Sequence, residues 1–288
     1  MTTIPPTKPA APRAPVLPTR PAGPPPAAAR GPVQFGAIPA AAGHRVVLYG
    51  PGGIGKTSLA CYAPGPVAML DLDESLPRLR SQLEASGILG SIRTLPATHD
   101  WAALRAMLQA PGWDSIKTVV IDTGTKAQEL AEAWTLSYVP HEKGNRVTRL
   151  EDYGYGKGYQ HVYETFLGML GDLDAHARAG RNVIIVTHDC TATVPNPAGE
   201  DWLRYEPRLQ TSNGGKASIR LRVKEWADHV LFFAYDVDVS KDGKGRGAGT
   251  RTLYTAELPF CLAKSRTVRD QYPVTEDNRA EVWAQIIA

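Results

Sequence analysis

The chain has 288 residues, 43% apolar and 21% charged, with a formal net charge of +3. Those values are ordinary for a globular protein and exclude a collagen, a coiled coil and a wholly disordered chain. No stretch approaches the roughly 20 apolar residues that span a bilayer, and the first residues lack a charged segment followed by an apolar run, so a cytosolic protein without membrane contact is expected.

In chain order, residues 1–39 come first, with 12 of the 24 prolines and only four charges, Lys8, Arg13, Arg20 and Arg30. They carry almost no large apolar side chains and cannot offset the entropy of ordering, so a disordered, partly polyproline tail is expected, followed by one domain over 40–288. Without those four cations, 28 basic residues face 29 acidic ones. The body is therefore near neutral, and any nucleic-acid site on it must be a local patch.

From residue 44 onward strand and helix alternate. Residues 45–49 read as a strand that runs into a glycine loop and a helix over 57–62. A second strand follows over 67–71, then a helix over 76–86 with Leu76, Leu79 and Leu83 on one stripe. Residues 91–95 form a third strand, and Asp100 caps a helix with Trp101, Leu104 and Leu108 inward. Next come an apolar strand at 117–121, a helix at 125–138, a long amphipathic helix at 158–179 and an apolar strand at 182–187. Continuous Val/Ile runs between helices indicate parallel strands buried on both faces. After residue 216 the pattern changes to a helix ending near 227, then antiparallel strands at 229–237 and 250–257. The glycines that begin with Asp242-Gly-Lys-Gly mark the turn between them. The three cysteines, Cys61, Cys190 and Cys261, are odd in number and outside any CxxC pair, which indicates buried thiols rather than disulfides or a zinc site.

Gly50-Pro51-Gly52-Gly53-Ile54-Gly55-Lys56-Thr57, followed by Ser58, matches G-x-x-x-x-G-K-[ST] and lies between a predicted strand and helix. Its glycines let backbone N–H groups converge on phosphate oxygens, and the helix presents its positive end to them. Lys56 is expected at the β- and γ-phosphates of ATP, and Thr57 at Mg²⁺. The strand Thr118-Val-Val-Ile-Asp122 places a carboxylate at the carboxyl edge of the sheet, where Asp122 is expected to hold the Mg²⁺ through water. It comes 66 residues after Lys56 with two candidate strands between, a spacing that disfavours the GTPase and simple nucleotide-kinase arrangements. Asp71, Asp73 and Glu74 end the second strand at the same edge; one is placed to orient an attacking water, or the group is a solvated cap for the next helix. His188, after Val-Ile-Ile-Val-Thr187, is a candidate γ-phosphate sensor.

The arrangement resembles a RecA-type ATPase core, an α/β fold with a mostly parallel sheet, helices on both faces and an antiparallel extension. More specifically it is similar to the phage-encoded, core-only RecA-like proteins of the Sak type, which act in single-strand annealing and recombination and are described as AAA-family ATP-binding proteins. The likeness runs from about residue 45 to 272. Besides the two motifs above it rests on Tyr153-Gly-Tyr-Gly-Lys-Gly-Tyr159, Val-Thr187-His188, Lys224-Glu-Trp226-Ala-Asp228 and Ala263-Lys264-Ser-Arg266.

The resemblance implies a catalytic carboxylate at Asp73, where relatives carry Glu, with Glu74 adjacent. It implies two DNA loops, at about 139–157 and 189–216. The first holds Lys143, Arg146, Arg149 and Lys157 with Tyr153 and Tyr155; the second holds Arg204, Tyr205, Arg208 and Lys216, among several acids. Basic residues interleaved with rings suit phosphate contacts and base stacking. It also implies Lys264 and Arg266 as contacts reaching the ATP of the adjacent protomer of a filament or ring. The expected cofactors are ATP and Mg²⁺. The expected partners are single-stranded DNA, further copies of the chain and a single-strand binding protein, in a bacterial host's cytoplasm. Two alternatives stand beside an ATP-driven annealing or recombination protein. One is a nucleotide-gated DNA-loading factor with little turnover. The other is a small-molecule phosphotransferase, for which no basic lid segment is apparent.

Overall fold

The computed structural model describes residues 36–37, 42–211, 216–239 and 245–287. The tail expected over 1–39 lies outside the described residues except for Gly36 and Ala37, as does part of the glycine turn near 242. The folded body is a mixed α/β structure with one large sheet. Its strands are β1 (Arg45–Gly50), β2 (Val67–Asp71), β3 (Ile92–Thr94), β4 (Thr118–Asp122), β5 (Asn182–Val194), β6 (Trp202–Pro207), β7 (His229–Val239), β8 (Gly245–Tyr254), β9 (Lys264–Ser265) and β10 (Gln271–Pro273). The order is β10-β8-β7-β1-β5-β4-β2-β3, with β6 on β5 and β9 on β7. From β7 to β3 every neighbouring pair is parallel, whereas β8, β9 and β10 join antiparallel.

The apolar strand runs follow from two-sided burial. Val47, Tyr49, Val119, Ile121, Val183 and Ile185 face one layer of helices, α3 (Trp101–Gln109), α4 (Gly124–Tyr138), α5 (Lys157–Arg178) and α6 (Ile219–Trp226). Val46, Leu48, Val120, Ile184 and Val186 face the other, α1 (Lys56–Ala60), α2 (Leu76–Ala85) and α7 (Arg279–Ile286). Alternate residues point to opposite faces, so a strand covered on both sides has no polar position in its middle. Asp100 caps α3 by accepting the Ala103 amide at 2.7 Å. The three cysteines are free thiols; Cys61 and Cys261 are buried and Cys190 half-buried.

Two readings of the sequence are corrected. The segment expected as a DNA loop at 189–216 begins as a hairpin: β5 runs on to Val194 and pairs with β6 from Asp189↔Pro207 to Val194↔Trp202. The segment 139–157 contains a 3₁₀ turn, Leu150–Tyr153, whose tyrosine is buried. No described helix is long and apolar enough to cross a membrane.

Candidate nucleotide site and neighbouring groove

The strand order places β5 between β1 and β4, so the phosphate loop and Asp122 flank the carboxyl end of β5. Gly50 lies beside His188, and Asp122 lies between Val186 and Asp71 in adjacent strands. The loop's glycines are required by geometry: a Cβ on Gly50 would lie 2.0 Å from the Phe233 carbonyl oxygen, and Gly55 has φ +101°. Lys56 is buried, and its Nζ donates to the Gly50 and Pro51 carbonyls, both at 2.8 Å. Burial holds its ammonium below its ordinary pKa, against the nearby charge of Asp122, which raises it.

Thr57 Oγ1 donates to Asp122 Oδ2 at 2.5 Å, which joins the loop to the Asp strand. Asp122 is 1% exposed. Burial raises its carboxyl to about 6, against the Thr57 hydrogen bond that lowers it, and the charges of Asp71 and Asp73 push it further up. The peptide from Asp122 to Thr123 is cis.

Asp71, Asp73 and Glu74 divide in role. Asp71 caps α2, accepting the Ser75 amide at 3.0 Å and the Leu76 amide at 2.8 Å. Asp73 Oδ2 lies 3.8 Å from His188 Nε2, both side chains about one-third exposed. Glu74, at φ +53°, instead pairs with the exposed His99 at 3.4 Å and lines a separate hollow of about 640 Å³ on the α2 and β3 side. The structure therefore brings Asp73, not Glu74, to the loop's side of the sheet edge. Burial and the charges of Lys56 and Arg208 lower the His188 pKa, so the ring is favoured neutral.

The residues fit a magnesium nucleotide on grounds of their own. Ser58 Oγ and Thr187 Oγ1 are buried without a hydrogen-bond partner among the described residues, a state that costs free energy unless a ligand or water completes it. Lys56 has only loop carbonyls as partners, and Asp122 is a desolvated carboxylate beside a threonine hydroxyl, the donor set expected of a hard cation.

The DNA-loop candidates separate. Tyr155 is fully exposed and, with Lys157 and Lys216, lines a groove of about 640 Å³ together with Tyr159 and Gln160. The two sequence segments thus meet there. Gln210 fixes the meeting point, its amide donating to Tyr159 O at 2.9 Å and Ala217 O at 2.8 Å. Lys157 is paired with Glu142, whose oxygens lie 2.6 and 2.7 Å from its Nζ. Lys143 and Arg146 are exposed on the same segment, and the exposed Arg149 lies 3.8 Å from Asp152.

Four candidates lie outside that groove. Tyr153 is buried, its hydroxyl donating to Thr135 O at 3.1 Å and Val139 O at 2.7 Å, so its ring has no free face for a base. Arg204 is held by Glu206 at 3.0 Å and by Glu257 at 2.5 Å. Tyr205 stacks on Phe232 with ring centres 5.3 Å apart, and its carbonyl accepts the Tyr49 hydroxyl at 3.0 Å. Arg208 is exposed, away from the groove's lining, and its amide donates to His188 O at 2.8 Å.

Lys264 and Arg266 lie at the start of β7, where Ser265 pairs with His229 and His229 with Val46. That is the opposite end of β1 from Gly50, roughly 13 Å away at 3.3 Å per residue. Lys264 Nζ donates to Lys224 O at 2.8 Å at the end of α6, and Arg266 Nε lies 3.1 Å from Asp228. Neither serves the site of its own chain. Sequence reading missed Arg251 on β8, whose Nη1 donates to Ile54 O at 3.1 Å in the phosphate loop. Only the pairing of β8 with β7 brings it there, and no local pattern marks it.

No curated protein sequence matches the chain. Among solved structures, one titled "Crystal structure of the RadB recombinase" is similar at 14% sequence identity and a TM-score of 0.46, covering 82% of this chain and 89% of that one. The AAA_24 family, described as an AAA domain, matches residues 42–267. That match takes in the phosphate loop, Asp122 and the paired strands β5 and β6, and by it the chain belongs to the AAA_24 family of AAA domains.

Proposed function

We propose that the protein is an ATP-dependent, single-stranded DNA-binding recombination or annealing protein that hydrolyses ATP at subunit interfaces. The observation that carries the reading is the contact of Thr57 with Asp122 at 2.5 Å beside a buried Lys56, on the same body as a groove where an exposed tyrosine meets two lysines. Bound Mg²⁺ would supply charge neutralisation to the phosphates. Thr57 and Asp122 would hold it, Lys56 would neutralise phosphate oxygens, and Asp73 is the open carboxylate available to orient a water. Tyr155, Lys157 and Lys216 combine a stacking ring with backbone-neutralising charge, the composition that suits single strands.

Hydrolysis between subunits rests on the resemblance, which assigns Lys264 and Arg266 to a neighbour's nucleotide; in their own chain they lie at the opposite end of β1 from the phosphate loop. A trans role would have to displace the contacts they make with Lys224 and Asp228. The experiment is phosphate release with ATP, Mg²⁺ and oligonucleotide. Mixing Arg266→Ala with Lys56→Ala protein should restore part of the activity that each lacks alone. Full activity of Arg266→Ala alone would remove the trans role and leave the ion pair with Asp228 as its purpose.

A further inference from the structure

Three arginines near the end of β6 have unlike fates: Arg204 on β6, Arg208 just past it and Arg220 on α6. Arg204 and Arg220 both donate to the buried Glu206, Arg204 at 3.0 Å through Nε and Arg220 at 2.7 Å through Nη1. Arg208 has no side-chain hydrogen bond or ion pair among the described residues and stands exposed. Its backbone is nevertheless fixed: its amide donates to His188 O at 2.8 Å, and its carbonyl accepts Thr125 Oγ1 at 3.3 Å. The His188 amide in turn donates to the same Thr125 hydroxyl at 3.3 Å.

Arg208 is therefore anchored to the strand end that separates the phosphate loop from Asp122. Gly50 neighbours His188 on one side, and Arg208 is bonded to it by the backbone. Its charge also opposes the protonation of His188, against the charges of Asp73 and Asp189, which favour it. Asp73 and Asp189 act on His188 from the same edge, but among the described residues no carboxylate answers the Arg208 guanidinium with an ion pair. An anion from outside does, and a phosphate accepts the planar, multi-donor guanidinium in two hydrogen bonds.

We propose that Arg208 is a phosphate-binding residue of its own chain's nucleotide site, contacting the terminal phosphate of a nucleoside triphosphate. Lys56 is buried under the loop, whereas Arg208 is exposed and held by its backbone to His188, whose ring lies beside Asp73; a cation on that open side would meet the phosphate that a triphosphate has and a diphosphate lacks. The inference rests on the nucleotide site proposed above and moves Arg208 out of the DNA-contacting set.

The test measures ATP and ADP affinity of the full chain for wild type, Arg208→Ala, Arg208→Lys and Lys56→Ala, each checked by thermal melting. The salt dependence of oligonucleotide binding is measured without nucleotide. Arg208→Ala should weaken ATP at least tenfold and ADP less than threefold, Arg208→Lys should recover part of the loss, and the salt slope should stay at the wild-type value. Unchanged ATP affinity in folded Arg208→Ala protein overturns the proposal; a salt slope flatter by about 0.7 would then return the residue to DNA. Equal loss of ATP and ADP also overturns the terminal-phosphate assignment. If Lys56→Ala too binds ATP like wild type, the nucleotide site itself fails, which separates that outcome from an error about Arg208 alone.

Discussion

Replacing Asp122 by Asn should stabilise the nucleotide-free protein while removing its response to magnesium nucleotide. The carboxyl is 1% exposed, and burial raises it from 3.8 to about 6. A folded pKa above the unfolded one means that the protonated form favours folding. The associated stability is fully present below pH 3.8 and is lost as pH rises through about 6. At 1.36 kcal/mol per unit, the shift corresponds to ~3 kcal/mol of destabilisation in the ionised state. Asn is neutral at every pH and can still accept the Thr57 hydroxyl now bonded to Asp122. For a domain of this size ~3 kcal/mol corresponds to roughly 6–12 °C in melting temperature. Melting Asp122→Asn and wild-type protein from pH 4 to pH 8 should show no difference at the acid end and a widening advantage for the variant that levels above about pH 6. Adding ATP with Mg²⁺ at pH 8 should then raise the wild-type melting temperature and leave the variant's nearly unchanged, since ligand stabilisation requires binding to the folded state. A variant no more stable than wild type at pH 8, or equally stabilised by magnesium nucleotide, would refute the account of Asp122 as a desolvated metal-holding carboxylate.

Further outcomes follow from the same contacts. The affinity for magnesium nucleotide should be flat above about pH 6 and fall as pH drops below it in wild type, because Asp122 must ionise to hold the cation; calorimetry at stepped pH, with Asp122→Asn as control, checks this. Tyr153→Phe should lower stability by about 1 kcal/mol in urea denaturation, since the hydroxyl's hydrogen bonds to Thr135 O and Val139 O are lost, and should leave oligonucleotide affinity unchanged. Tyr155→Ala should do the reverse, weakening oligonucleotide binding by about 1–3 kcal/mol at every salt concentration without changing the denaturation midpoint. Tyr49→Phe should destabilise by about 1–3 kcal/mol, because its buried hydroxyl serves both Tyr205 O and Leu262 O.

Much of the sheet was legible because its strands are buried on both faces: Thr118–Asp122 and the first part of β5 read as unbroken apolar runs, and their ends were marked by Asp122 and His188. The phosphate loop was legible because its chemistry is local to eight residues. The continuation of β5 was hidden because beyond Thr187 the strand leaves the core, and its residues from Asp189 to Val194 are half-buried or exposed with no apolar run. The fate of individual side chains was hidden for a different reason. Tyr153 sits among glycines and reads as a loop residue, yet its hydroxyl is fixed by carbonyls at the end of α4. Arg204 and Arg208 are equivalent in sequence, and only the folded position of Glu206 and Glu257 distinguishes them. Asp73 and Glu74 are adjacent, and the left-handed backbone at Glu74 turns them to different partners.

The most direct test of the central claim is magnesium-dependent phosphate release from ATP, with and without single-stranded oligonucleotide, in wild type and Lys56→Ala protein. The account predicts release that the oligonucleotide stimulates and that falls by about 10² or more when Lys56 is lost, as expected on removing a charge that neutralises phosphate in the transition state. Release that is unaffected by Lys56→Ala would contradict it.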